Sequence, residues 1–217
     1  MAVIRIKICC ISSLDEARMA VAAGASALGL VGEMPSGPGV IGDDLIREIA
    51  GAAPPGVATF LLTSRTTPEA IVRHQQMTGA SVVQIVDALT EGSHADIRRH
   101  LPGIKLVQVI HVTGESSLDE ALQAAETADA LLLDSGNPQA AVKELGGTGR
   151  IHNWDISRRI CEQAQVPVFL AGGLRPDNAR EAIERVQPFG LDICSGVRTN
   201  GALDPVKLEA FVKAVRG

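Results

Sequence analysis

The chain has 217 residues, 46% apolar and 21% charged, which supplies a sizeable buried core and argues against a disordered or collagen-like chain. A net charge of −5 and only five aromatic rings (four Phe, one Trp, no Tyr) argue against a nucleic-acid binder, so no nucleic-acid partner is expected. Four cysteines without a CxxC pair suit neither a disulfide scaffold nor a zinc site, and no run reaches the roughly 18 apolar residues of a membrane span.

The opening AVIRIKICC reads as a strand over Val3–Cys9 and lacks the long apolar core and cleavage site of a signal peptide. A soluble, reduced, cytoplasmic protein with no metal and no membrane partner is expected. In this strand Arg5, Lys7 and Cys9 share one face, and Ile4, Ile6, Ile8 and Cys10 the other. The apolar set belongs against helices, which turns Lys7 and Cys9 inward, with Cys9 at the upper rim. A lysine beneath a cysteine can hold it near the thiolate; alternatively the two are a small buried hydrophobe over a structural lysine.

Ser13-x-x-Glu16 then fits a capping box for a helix over 14–23. Strands at Ala27–Val31 and Val57–Leu62 flank a helix over 43–52, and Thr66-x-x-Glu69 opens a helix over 67–77. Strands at Ser81–Val86 and Lys105–His111 alternate with helices over 91–100 and 117–127, the second opened by Ser117-x-x-Glu120. The hexapeptide SSLDEA occurs at Ser12–Ala17 and again at Ser116–Ala121, about four strand–helix units later. It reads either as a half-barrel repeat or as two independent helix caps.

The sixth strand, Ala130–Asp134, is apolar until its last residue. Asp134 at a strand end is a candidate general acid or base, or a cap for the turn Ser135-Gly136-Asn137. A helix over 153–164 begins near Trp154, whose expected role is packing. Strands at Pro167–Ala171 and Leu191–Ser195 alternate with helices over 176–186 and 204–215. Asp192, inside the last strand, reads as a buried structural carboxylate. Three glycine clusters follow strand ends: Gly146-Gly147-Thr148-Gly149, Gly172-Gly173 and Ser195-Gly196. Such loops let backbone N–H groups converge on an anion, and a phosphate site is expected after strands seven and eight.

Eight units of about 27 residues predict a single (β/α)8 TIM barrel over 1–217, with a doubly wound open sheet as the alternative. In a barrel the chemistry sits where strands end and the following loops begin.

The set Lys7-Ile8-Cys9, Leu131-Leu132-Leu133-Asp134, the GGTG at 146–149 with Trp154 behind it, Leu170-Ala171-Gly172-Gly173-Leu174 with Pro176 and Asn178, and Asp192-Ile193-Cys194-Ser195-Gly196-Val197 resembles the phosphoribosylanthranilate isomerase family along essentially the whole chain. The resemblance implies a (β/α)8 barrel of tryptophan biosynthesis that performs an Amadori rearrangement of an aminoaldose phosphate to an aminoketose phosphate without metal or cofactor. It implies Cys9 as the base at the sugar C2 and Asp134 as the acid at the ring oxygen. Gly147, Gly172, Gly173, Ser195 and Gly196 match positions around the substrate phosphate, and Lys7 belongs to the same site. The implied partner is a small sugar phosphate, and the oligomeric state a monomer or homodimer.

The departures lie at one end of the expected site. Cys10 stands where the family has glycine, and Gly37-Pro38-Gly39 stands where it has Ser-Pro-Arg, whose arginine helps hold the anthranilate. Gln84-Ile85-Val86-Asp87 replaces Gln-Leu-His-Gly, so a histidine is lost and Asp87 is expected to repel a second carboxylate. Arg65, near the end of the third strand, is one candidate substitute cation. Two other readings follow: a barrel enzyme for a different sugar phosphate without the anthranilate carboxylate, or a non-catalytic phosphate-binding barrel.

Overall fold

Short apolar runs form the strands because each is buried on both faces, one against helices and one inside the closed sheet. The computed structural model describes residues 3–136, 143, 145 and 149–217. The strands are β1 (Arg5–Ile8), β2 (Ala27–Val31), β3 (Ala58–Thr63), β4 (Val82–Ile85), β5 (Lys105–His111), β6 (Ala130–Asp134), β7 (Val168–Leu170) and β8 (Gly190–Ile193). They pair in chain order, all parallel, and β1 pairs with β8 to close the barrel, so the open-sheet alternative is excluded. The helices are α1 (Leu14–Ala22), α2 (Asp43–Ala52), α3 (Pro68–Thr78), α4 (His94–His100), α5 (Ser116–Ala125), α6 (Trp154–Gln163), α7 (Ala179–Val186) and α8 (Pro205–Arg216). A hairpin of β9 (Arg198–Thr199) and β10 (Ala202–Leu203) lies between β8 and α8.

Alternation sorts the strand side chains into two layers. Ile6, Ile8, Leu28, Leu30, Leu131 and Leu133 pack with the helices. Val82, Val107, Val109, Ala130, Leu132 and Phe169 fill the barrel, where Phe60 meets Phe169 edge-on at 5.8 Å. The β1–β8 register sets Lys7 opposite Asp192, and their side chains form a buried ion pair at 2.9 Å. Asp192 is thus the buried carboxylate its position suggested. Trp154 is the first residue of α6 and lies in the core.

Cys10 departs from the expected alternation. The strand ends at Ile8, Cys10 takes φ of 62°, and its thiol joins the interior cluster instead of facing the helices. A left-handed residue with a β-carbon costs roughly 1–2 kcal/mol, so the backbone here favours glycine.

The helix caps differ in detail from the motifs. Ser13 caps α1 by accepting from the Glu16 N–H at 3.1 Å. Thr67, not Thr66, caps α3, accepting from the Ala70 N–H. Ser117 lies inside the first turn of α5, where its hydroxyl accepts from the Thr113 N–H and donates to the His111 carbonyl. The two SSLDEA segments therefore open α1 and α5 with different caps.

Glu16 does more than cap. Its carboxylate accepts from the Ser12 and Leu203 N–H groups and from the Arg198 guanidinium at 3.0 Å, joining the loop after β1 to the β9–β10 hairpin. Burial alone would raise its pKa, but Arg198 and the two N–H groups outweigh burial and hold the carboxyl below the usual range. A group depressed in this way stabilises the fold above the ordinary carboxylate pKa and loses that contribution as pH falls through the folded value. Glu16→Gln leaves Arg198 buried without its counter-charge and is expected to cost about 3 kcal/mol at pH 7. The loss should shrink toward pH 3, which urea titrations at the two pH values check.

Candidate active site

The C-terminal strand ends converge on one cleft. Cys9, Cys10, Gln84, Asp134, Cys194 and Ser195 supply its polar wall, with Val31, Met34, Pro38, Leu62 and Leu174 as apolar neighbours. Gly149, Gly172 and Gly173 line it as well. Cys9, Asp134, Gly172, Gly173 and Ser195, which come from four strand ends, are therefore brought together.

Cys9 is placed by β1 and nearly buried, and Lys7 lies below it, fully buried and 5.3 Å from the centre of the Phe60 ring. Room for both comes from Gly29 on β2. A Cβ there would stand 2.7 Å from the Cys9 sulfur and 3.1 Å from the Lys7 nitrogen. Burial works against a charged Lys7, but Asp192, Cys9 and Cys10 outweigh it and raise its pKa, so the amine stays an ammonium. Burial pushes the Asp192 carboxyl up, Lys7 draws it down, and Asp134 pushes it up again. Beyond their contact, neither the ammonium nor Asp192 Oδ1 has a hydrogen-bond partner among the described residues.

Asp134 caps its turn, as one of its two readings expected, and also faces the cleft. Its Oδ1 accepts from the Ser135 N–H at 2.7 Å and holds the turn, while the carboxyl lines the cleft.

The glycine side of the cleft is built from loops. Gly172 and Gly173 take φ of 80° and 64°, which side chains rarely allow. Asn178 fixes this loop, donating to the Gly173 carbonyl at 3.0 Å and accepting from the Arg175 N–H at 2.8 Å. Ser195 begins a short 3-10 turn, Ser195–Val197. The backbone N–H groups of Gly173 and Ser195 donate to no acceptor among the described residues. Gly196 lies off the cleft wall and packs against the Leu174 carbonyl, where a Cβ would collide. Gly147 lies outside the described residues.

Arg65 stands in the loop after β3, partly exposed and 4.0 Å from Glu33, and is not on the cleft wall. Lys143 was not singled out by its sequence context. Its ammonium pairs with Asp87, which is therefore neutralised and not a free repelling charge. Its carbonyl accepts from the Ser36 hydroxyl, beside Gly37-Pro38-Gly39, where the family's arginine is absent. No sequence pattern joins residues 36, 87 and 143. Gln84, whose buried Oε1 has no partner among the described residues, and Cys194 were also missed, although parity with Val82 and Asp192 points both inward.

The sequence model of the N-(5'-phosphoribosyl)anthranilate isomerase family matches residues 6–214. N-(5'-phosphoribosyl)anthranilate isomerase 2 of Methanosarcina mazei is 36% identical over 210 residues, covering 96% of this chain and 92% of that one. A crystal structure of phosphoribosyl anthranilate isomerase in complex with reduced 1-(o-carboxyphenylamino)-1-deoxyribulose 5-phosphate superposes with a TM-score of 0.79, at 27% identity and 98% coverage of both chains. Monomers generated from the dimeric Thermotoga maritima enzyme superpose at 0.80, with 26% identity and 98% coverage of both.

His152 is a further residue that sequence spacing left aside. Its Nε2 lies 2.8 Å from the Ser157 hydroxyl, which itself donates to the Asn153 carbonyl, so this network assigns the ring proton to Nε2. Nδ1 is then a bare acceptor, buried and without a partner among the described residues. A Cβ on Gly172 would come 3.1 Å from it, which sets the ring against the glycine loop. Burial pushes the imidazole pKa down to about 4, against the attraction of Asp134. NMR titration of the imidazole should show it neutral at pH 6 and protonating only near pH 4; a midpoint near 6.5 would mean the ring is solvated.

Proposed function

This chain belongs to the N-(5'-phosphoribosyl)anthranilate isomerase family, aldose–ketose isomerases of tryptophan biosynthesis, and we propose that it rearranges the aminoaldose phosphate with Asp134 as acid and Cys9 as base. The observation that carries this reading is the convergence of Cys9 and Asp134 on one cleft with the glycine loops after β7 and β8.

Asp134 gives a proton to the ribose ring oxygen, the ring opens, and the C1–N bond becomes an iminium. Cys9 removes the C2 proton, whose acidity the iminium raises, and the resulting enolamine tautomerises to the aminoketose. The phosphate sits on the N–H groups of Gly173 and Ser195, with Gly172 shaping the approach and Gly196 seating the two loops together. Lys7 keeps positive charge beneath the sulfur. The four cysteines are free thiols, in keeping with a cytoplasmic enzyme, and it works as a monomer or homodimer. With the rest of the site intact, Cys9→Ser and Asp134→Asn should each lower turnover of phosphoribosylanthranilate about 10²-fold or more in a fluorescence assay. Undiminished turnover in both would overturn the assignment.

The anthranilate carboxylate needs a cation, and the described cleft wall has no Lys or Arg. Lys143 fits this need better than Arg65, since its backbone is tied to Ser36 and its ammonium can bridge Asp87 and a second carboxylate. A charge-assisted hydrogen bond is worth about 1.5–3 kcal/mol. Lys143→Ala should therefore raise KM for the natural substrate roughly tenfold or more, and leave KM for its carboxylate-free N-phenyl analogue unchanged. If Arg65→Ala does this instead, Arg65 is the cation. If the wild-type protein prefers the carboxylate-free compound, the enzyme serves a different sugar phosphate.

A further inference from the structure

Three thiols meet at a cleft whose chemistry requires one. The Cys9 N–H donates to the Ile193 carbonyl at 2.8 Å, one step beyond the Ile8–Ile193 pair of the β1–β8 ladder. Cys9 and Cys194 therefore leave adjacent strand ends in register. Cys10 turns back over this step in its left-handed conformation, which sets its side chain in one interior cluster with Cys9, and Cys194 packs against that cluster. All three line the same cleft. The Cys10 sulfur is held from the other side by the Pro38 carbonyl at 3.7 Å. Gly39 packs so closely on it that a Cβ there would stand 2.4 Å from Cys10 Cβ. The Arg198 guanidinium, already paired with Glu16, donates to the carbonyls of both Cys9 and Cys10.

The rearrangement assigns no role to Cys10 or Cys194. We propose that they form an oxidation-sensitive dithiol that closes to a disulfide across the cleft and blocks the site, with peroxides as the oxidant. The Cys194 thiolate attacks one peroxide oxygen; the O–O bond breaks, and the leaving hydroxide takes a proton as water. This leaves Cys194 as a sulfenic acid. The Cys10 sulfur then attacks that sulfur, the S–O bond breaks, and the hydroxide departs as a second water with the Cys10 proton. Two electrons pass from the sulfur pair to one peroxide.

The environments suit this order. The hydrogen bond from Cys10 lowers the Cys194 pKa, with burial opposing and Arg198 assisting. Hydrogen bonds to Cys194 and Cys9, then burial, push the Cys10 pKa up, so Cys194 and not Cys10 is the thiol that meets the oxidant first. Cys194 is partly exposed and open to the oxidant, whereas Cys10 is buried.

The blocking effect rests on the isomerase reading, but the cross-link does not, and peptide mass mapping scores it separately. Reduced protein is treated with hydrogen peroxide in slight excess, quenched and mapped, with turnover assayed in parallel. A Cys10–Cys194 peptide pair, loss of turnover in step with it, and recovery with dithiothreitol are expected. Cys10→Gly supplies the residue the backbone favours; this variant and Cys194→Ser should each form no such pair. Each should keep half its own starting activity at about tenfold more peroxide. A Cys9–Cys10 pair, a cross-link that leaves turnover unchanged, or equal sensitivity of both variants with a sulfinate on Cys9 would overturn the proposal. Absence of turnover in the reduced protein, with the cross-link still forming, would sink the isomerase reading and leave the dithiol supported.

Discussion

The ion pair between Lys7 and Asp192, buried where β1 meets β8, is the constraint on which the site depends. Taking two charges out of water costs several kcal/mol per ion, and well-packed apolar residues often stabilise a core as well as an ion pair does. Its value is therefore positional. It places an ammonium under Cys9 and a carboxylate near Asp134, at the one seam where the first and last strands must find each other. It also fixes the parity of β1. A slip of one residue would bring Ile6 and Ile8 inside and drive Lys7 among the helices, an uncompensated charge in an apolar layer. Cys9 faces the cleft because Lys7 cannot face anything but Asp192. Gly29 is the complement, since any side chain there would enter the space that the sulfur and the ammonium occupy.

Barrel order and inward parity were legible because they follow from local rules. Period-two alternation identified Lys7 and Cys9 as inward, the strand end marked Asp134, and the loop clusters marked Gly172, Gly173 and Ser195. Illegible features depend on contacts distant in the chain or on backbone that breaks the period. Cys10 reads as outward by alternation and turns inward only because its φ is positive. The caps of α3 and α5 slipped by a residue or more because more than one hydroxyl stood within reach of each helix start. Glu16 passed as a cap, although most of what it holds comes from residues near the other end of the chain, Arg198 and Leu203. His152 has no partner pattern in sequence, and its neutrality is a consequence of burial beside the glycine loop.

The division between legible and illegible parts coincides with a division of labour. In the proposed reaction, proton transfer and phosphate binding use groups at strand ends and in the short turns that directly follow them. Phosphate recognition by backbone dipoles also suits a pit in which the only deep cation among the described residues, Lys7, is already paired. In the same proposal, recognition at the other end of the substrate falls to side chains on separate loops, Ser36, Asp87 and Lys143, which meet only in three dimensions.

Losing an arginine after β2 therefore need not mean losing the carboxylate. On the proposed reading, the charge balance at the mouth is a pair, with Asp87 holding Lys143 in place of a single fixed cation. Such a pair is close to neutral at a distance, so it would steer an anion weakly while still offering donors at contact, where a lysine has three. Discrimination at this end would then rest on contact geometry more than on long-range attraction. Cys9, with the proposed base role, leaves a strand that the fold cannot shift without unpairing Lys7, and Ser195 follows the strand it pairs with.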